Sequence, residues 1–266
     1  MAVFDTKACT ALIEELTAIA ARAATAIRQC GATSLRHKAD GSPVTAADQA
    51  AEAVILQELE RLAPGIPAVS EERSAQDQAQ DQARAPQSGP YFLVDPLDGT
   101  REFMAGRDEF TVNIALIDRG APLLGVIAAP AADLAWRGIV GRGAERTTLS
   151  DQSGRTAIRS RRRPPAPVIM ISRSHLDAGT KAYLAGLAQG SSVSSGSSIK
   201  FCRIAEGDAD LYPRLAPTHD WDVAAGHAIV VAAGGEVRAA DGSQLRYGTP
   251  KRLIPDFIAR GDPAGQ

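Results

Sequence analysis

A layered α/β protein in two lobes is the fold class this sequence predicts. Three observations predict it. Two amphipathic helical patterns open the chain, an apolar strand meander follows, and strands and helices alternate in the second half. With 266 residues, 44 % of them hydrophobic, the chain can bury a sizeable core. The expected division is an N-terminal α+β lobe over 1–145 and a C-terminal α/β lobe over 146–266.

The elements follow in order. Leu12, Leu16, Ile19, Ala23 and Ile27 recur at helical spacing between about Lys7 and Gln29, and Gly31 stops the run. After a loop over residues 38–44, a second helix begins near Thr45. Thr45-Ala-Ala-Asp48 is an N-terminal capping pattern, and Ala51, Ile55, Leu59 and Leu62 form the stripe to be buried. A short strand over Pro67–Ser70 runs into Glu71-Glu72. Residues 73–90, rich in Gln, Ala, Asp and Ser, lack apolar periodicity and read as a low-complexity loop that could lie over a site as a flap. Tyr91-Phe-Leu-Val is an apolar strand ending in the turn Asp95-Pro-Leu-Asp98-Gly-Thr100. Phe110–Ile117, Leu123–Ala128 and Leu134–Val140 then form an antiparallel meander, and 144–165 reads as the lobe boundary. Beyond it come a strand at Val168–Ile171, a helix near Gly179–Leu187, a Ser/Gly loop over Ser191–Ser198 and a helix over Ile199–Glu206. A strand at Ala209–Tyr212 and a helix over Trp221–Ala233, closed by Gly234-Gly235, complete the series.

Composition excludes several classes. A net charge of −2 with balanced acids and bases argues against a nucleic-acid binder. The basic run Arg161-Arg162-Arg163, beside Pro164, Pro165 and Pro167, reads as a solvated loop. Cys9, Cys30 and Cys202 show no metal-ligand spacing, and Cys9 and Cys30 lie too far apart along one helix to bridge. No signal peptide or membrane-spanning stretch is visible, so a reduced, cytoplasmic protein is expected, with peripheral membrane association left open. Oligomeric state is not legible.

Four acidic positions carry the chemistry: Glu71, the pair Asp95 and Asp98, and Asp222 in His219-Asp-Trp-Asp222. Taken singly, a Glu-Glu pair also fits a solvated turn, and an acid at a helix start also fits a cap. Two acids flanking Pro96 directly after a buried strand are harder to explain without a cation. Hard oxygen donors without His or Cys suit Mg²⁺ or Mn²⁺. A turn or helix starting at Gly99-Thr100 would aim free N–H groups at an anion. Cations beside an anion nest favour phosphoester hydrolysis.

These segments resemble a known family. Glu71-Glu72, Asp95-Pro-Leu-Asp-Gly-Thr100 and Trp221-Asp-Val-Ala-Ala-Gly226, with Lys38 and Val44–Asp48 upstream, look like the signature motifs of the inositol monophosphatase superfamily of Mg²⁺-dependent, lithium-sensitive phosphatases. The resemblance implies an α-β-α-β-α sandwich. It also implies two or three Mg²⁺ ions held by Glu71, Asp95, Asp98, Asp222 and the Leu97 carbonyl, with Glu72 in support. Thr100 and Asp48 would orient the attacking water, Glu71 would assist, and Gly99 and Thr100 would donate backbone N–H groups to the phosphate. Asp48 fits equally well as a first-turn helix acid.

The second half must choose the ester. Ser172-Arg-Ser-His175 and Gly196–Arg214 supply an imidazole, hydroxyls, a Lys and an Arg, which suits a nucleotide with a second phosphate. His175 capping a turn and Arg214 pairing with a local acid are the plainer alternatives. These segments resemble the 3′(2′),5′-bisphosphate nucleotidase branch, linked to sulfate assimilation. That implies cleavage of adenosine 3′,5′-bisphosphate, and of its sulfated precursor as a further substrate, with His175, Ser197, Lys200 and Arg214 on the nucleotide. An inositol or sugar phosphatase of the same fold, or a non-catalytic Mg²⁺ or nucleotide sensor, are the competing readings.

Overall fold

The computed structural model describes residues 6–31, 36–37, 43–76, 89–187, 189–249 and 251–263. In chain order the helices are α1 (Thr6–Cys30), α2 (Ala46–Leu62), α3 (Glu71–Gln76), α4 (Thr100–Met104), α5 (Ala178–Ala185), α6 (Ile199–Glu206) and α7 (Asp220–Ala232). The first strands are β1 (Arg36–His37), β2 (Pro43–Val44), β3 (Ala68–Ser70), β4 (Tyr91–Asp98), β5 (Thr111–Asp118), β6 (Ala121–Ala129), β7 (Leu134–Ile139), β8 (Gly143–Thr148) and β9 (Thr156–Ile158). The later ones are β10 (Val168–Ser172), β11 (Ser191–Ser195), β12 (Leu211–Arg214), β13 (Thr218–His219), β14 (Glu236–Ala239), β15 (Leu253–Ile254) and β16 (Phe257–Arg260).

Among the described residues two main sheets form. The larger runs β3-β4-β5-β6-β7-β8-β9, and the smaller runs β11-β10-β12-β16-β14. Strand alternation in the large sheet separates two cores rather than core from solvent. Phe92, Val94, Val112, Ile114 and Leu116 face α1 and α2, while Leu93, Ala115 and Ile117 face α6 and α7. Tyr212, Val237 and Phe257 of the smaller sheet close on α6 and α7 from the other side, and α5 covers its outer face through Tyr183 and Leu184. The order of layers is therefore α-β-α-β-α, and one core joins both sheets through α6 and α7.

Glycines set how tightly α7 is seated. A Cβ on Gly226 would stand 2.3 Å from the Phe201 ring, and one on Gly125 of β6 would stand 2.5 Å from the Ala225 carbonyl. Neither gap admits a methyl group, so the helix backbone lies directly against its neighbours.

The structure corrects several sequence expectations. Residues 144–165 are not simply a boundary, because β8 and β9 continue the meander within them. Their charged and polar residues sit at a sheet edge, where apolar periodicity is weak. Ser191–Ser195 is a strand, not a loop; pairing with β10 overrides its serine composition. The loop expected from Arg73 begins later, since α3 extends to Gln76, and residues 77–88, with the flap reading, lie outside the described residues. Arg161 is not merely solvated: it forms a two-armed ion pair of 2.8 and 2.9 Å with buried Asp210.

Candidate active site

The turn expected at Asp95–Asp98 is an irregularity within β4. Asp95 pairs with Asn113, the register shifts, and pairing resumes between Asp98 and Thr111. Pro96 cannot donate to a ladder, so the irregularity falls where a ladder bond could not form. Asp95 is buried and its Oδ1 accepts the Leu97 N–H at 3.1 Å. Asp98 Oδ2 accepts from the Asn113 amide at 3.4 Å, and Asn113 is held through Ser198, whose Oγ donates to it at 2.7 Å. Gly99 then turns the chain at φ 92° into α4, a position where a Cβ would strike the Glu109 carbonyl at 2.8 Å.

Asp48 and Thr100 meet across a separation of 52 residues. Thr100 Oγ1 lies 3.1 Å from Asp48 Oδ1 and 3.2 Å from the Leu97 carbonyl oxygen. Asp48 Oδ2 accepts from the Thr45 N–H at 2.8 Å and from its hydroxyl at 2.5 Å. The helix cap therefore also fixes the carboxylate that receives the Thr100 hydroxyl. Burial raises the Asp48 pKa against these hydrogen bonds.

Glu71 opens α3 directly after β3, so it is a helix-start acid rather than a turn residue. Asp222 sits in the first turn of α7, accepting from the His219 N–H at 3.1 Å and from the Thr218 hydroxyl. Asp222 is therefore the third-position partner of a capping box whose N-cap is His219, and it also lines the cavity. Glu71, Asp95, Leu97, Asp98, Gly99, Thr100, His175, Ser197, Lys200, Arg214 and Asp222 line one cavity of about 340 Å³. Lys38 lies outside the described residues.

Burial and crowding shift the acids of this cavity. Burial, then neighbouring Asp222, pushes the Asp98 carboxyl up to about 7. Burial, then Glu71, pushes Asp222 up to about 6. Lys200 opposes this from α6: burial lowers it to about 8 while Asp98 pulls it back up. Its ammonium is held by the Ser195 carbonyl at 3.3 Å and by that of Ser197, 5.1 Å from the centre of the Tyr212 ring. Glu71, Asp95, Asp98 and Asp222 bring hard oxygen donors into one space beside Lys200, a donor set that divalent cations fit. Among the described residues no three His, Cys, Asp or Glu side chains form a closed ligand cage; the fit rests on the donor chemistry and the charge.

The other wall is cationic. Arg214 Nη1 donates to Ser172 Oγ at 3.3 Å, and no acid lies within ion-pair distance of it among the described residues. His175 does not cap a turn; its Nε2 faces Arg101 Nη1 at 3.2 Å.

A model of the inositol monophosphatase family matches residues 8–259. The chain belongs to the inositol monophosphatase family. It is similar to the 3′(2′),5′-bisphosphate nucleotidase CysQ of Salmonella typhimurium, 44 % identical over 253 residues that cover 92 % of this chain and 98 % of the relative. The CysQ protein of Escherichia coli strain K12 is 47 % identical over 223 residues, covering 83 % and 86 %. The crystal structure of CysQ from Bacteroides thetaiotaomicron superposes with a TM-score of 0.77 at 36 % identity, covering 93 % of this chain and 97 % of that one.

The cavity is also lined by residues that sequence reasoning did not single out. Arg101, Glu102, Ser174, Tyr212 and Thr218 line the same space. Thr218 was discoverable, being four residues before Asp222 at a helix start. Glu102 and Ser174 meet only because β10 ends beside α4, which no local pattern records.

Proposed function

We propose that this protein is a Mg²⁺-dependent 3′(2′),5′-bisphosphate nucleotidase that removes the 3′-phosphate of adenosine 3′,5′-bisphosphate, giving AMP and phosphate. One observation carries the reading: a single cavity gathers two sets of groups, the acids Glu71, Asp95, Asp98 and Asp222 and the cations Lys200 and Arg214 beside His175. An ester with two phosphates matches both. The bisphosphate nucleotidase names of the relatives support it. Lithium sensitivity, action on the sulfated precursor, a role in sulfate assimilation and a cytoplasmic location belong to the same proposal.

On this reading Glu71, Asp95, Asp98, Asp222 and the Leu97 carbonyl hold Mg²⁺. When bound, the ions supply charge neutralisation at the phosphate and acidify water. Thr100 gives its hydroxyl proton to Asp48 as a hydrogen bond, which leaves the Thr100 oxygen free to accept from the attacking water. Gly99 and Thr100 offer N–H groups at the start of α4. His175, Ser197, Lys200 and Arg214 hold the nucleotide. The residues 1–145 carry most of the chemistry, and 146–266 carry Asp222 and substrate choice.

Turnover of adenosine 3′,5′-bisphosphate and inositol 1-phosphate, measured side by side, tests the assignment. Faster hydrolysis of the bisphosphate is expected. Faster hydrolysis of the inositol ester would transfer the protein to the sugar-phosphatase reading, and hydrolysis of neither would favour a sensor.

A further inference from the structure

Arg101 stands one residue beyond Thr100 on α4 and lines the cavity from the side of the large sheet. Its Nη1 reaches His175 Nε2, on the segment between β10 and α5, at 3.2 Å. A guanidinium offers only donors, so Nε2 accepts and the imidazole proton belongs on Nδ1. Arg214 approaches the same ring from β12. Burial first, then Arg214 and Arg101, lowers the His175 pKa, which leaves a neutral imidazole beside two cations.

The two arginines share another property. Among the described residues neither has a carboxylate within ion-pair distance, whereas neighbouring Arg173 is paired with Glu109 at 2.6 Å. Arg214 Nε is buried with no hydrogen-bond partner among the described residues. Keeping such a donor unsatisfied is costly without a ligand to receive it. One guanidinium from α4 and one from β12, with a neutral ring as spacer, make a receptor for a compact dianion.

We propose that Arg101 is a specificity residue: with Arg214 across the cleft, it grips the phosphate of the substrate that is not hydrolysed. This rests on the two-phosphate reading above. The Arg101–His175 contact joins a cation to an uncharged ring, and an entering phosphate can replace it with a two-armed ion pair. A lysine in its place would supply charge without the two-armed geometry.

The test compares adenosine 3′,5′-bisphosphate with adenosine 3′-monophosphate, which keeps the reacting phosphate and lacks the other. In Arg101→Ala the ratio of kcat/KM values, bisphosphate over monophosphate, should fall about 10- to 100-fold, mainly through KM for the bisphosphate. Arg101→Lys should restore part of the ratio. Calorimetric titration of the metal-free protein with 5′-AMP, which retains only the second phosphate, should show Kd raised by a similar factor in Arg101→Ala. An unchanged ratio, or a loss shared equally by both substrates, would overturn the assignment. If the wild-type protein shows no preference for the bisphosphate, the two-phosphate reading itself fails. A preference that survives in Arg101→Ala sinks only the role of Arg101.

Discussion

Two charged clusters in this protein follow opposite rules. On β7, Arg137 is only 1 % exposed, yet it is matched by acids. It donates to Glu14 at 2.8 and 2.9 Å and to Glu145 at 2.7 and 2.5 Å, and Arg155 takes the remaining charge of Glu14. The hydrogen bonds hold Glu14 below the usual carboxylate range even against its burial. In the cavity, Glu71, Asp95, Asp98 and Asp222 share one space with Lys200 and Arg214, and Asp98 and Asp222 are pushed up instead. The first cluster is complete in itself and ties α1 to the sheet. In the second, buried acids raise one another's pKa, a crowding that divalent cations would relieve.

Three changes would break or sharpen this contrast. Asp98→Asn removes a charge from the cavity cluster. If Asp98 holds the cation as proposed, turnover should fall about 10³- to 10⁴-fold, because such a ligand acts on the transition state. Thermal unfolding of the metal-free variant should occur at the same temperature or higher, because like-charge repulsion is relieved. Retained turnover would count against the assignment of Asp98.

Arg137→Ala attacks the complete cluster and should do the reverse. Stability should drop by about 3–5 kcal/mol in a denaturant titration, while kcat/KM of the folded fraction stays as it was. A loss of activity without loss of stability would show that the two clusters are not independent.

His227 gives the smallest and slowest effect. It is a neutral group near Tyr247, with Nδ1 and the hydroxyl oxygen 2.9 Å apart. Burial, with Arg238 nearby, lowers its pKa to about 4. The unfolded chain takes up the imidazole proton near 6.5, the folded chain near 4, so between these values the unfolded state binds more protons. Stability from this group is present above pH 6.5 and is lost as pH falls toward 4, by at most about 3 kcal/mol. Unfolding of wild type and His227→Gln across that window should show a steeper acid limb in the wild type. Parallel curves would remove His227 from the account.

How much of this was legible in the sequence depended on distance along the chain. The Thr45–Asp48 cap, the Asp95–Thr100 segment and the first turn of α7 are local, and their residues announce them. Strands β8, β9 and β11 were hidden because they are edge or near-edge strands of polar composition, made β by their neighbours and not by their own propensity. The cavity was half visible for the same reason. Its acids come in motifs, whereas Arg101 meets His175 across 74 residues, and the support of Asp98 by Asn113 and Ser198 joins the large sheet to the start of α6. Pairings of that kind are products of topology, and no short window contains them.

The tight seat of α7 has an evolutionary consequence. Gly226 and Gly125 leave no clearance around the helix that carries Asp222, whose carboxylate lies about one helical turn before Gly226. A helix without slack cannot slide along its axis, so Asp222 is held at one height over the cavity. Gly196, where a Cβ would meet Glu102 at 2.7 Å, seats the loop after β11 as tightly. Lys200 and Arg214 stand on α6 and on β12, the central strand of the smaller sheet. A change of ester preference should therefore come from side-chain exchange on a rigid frame and not from backbone remodelling.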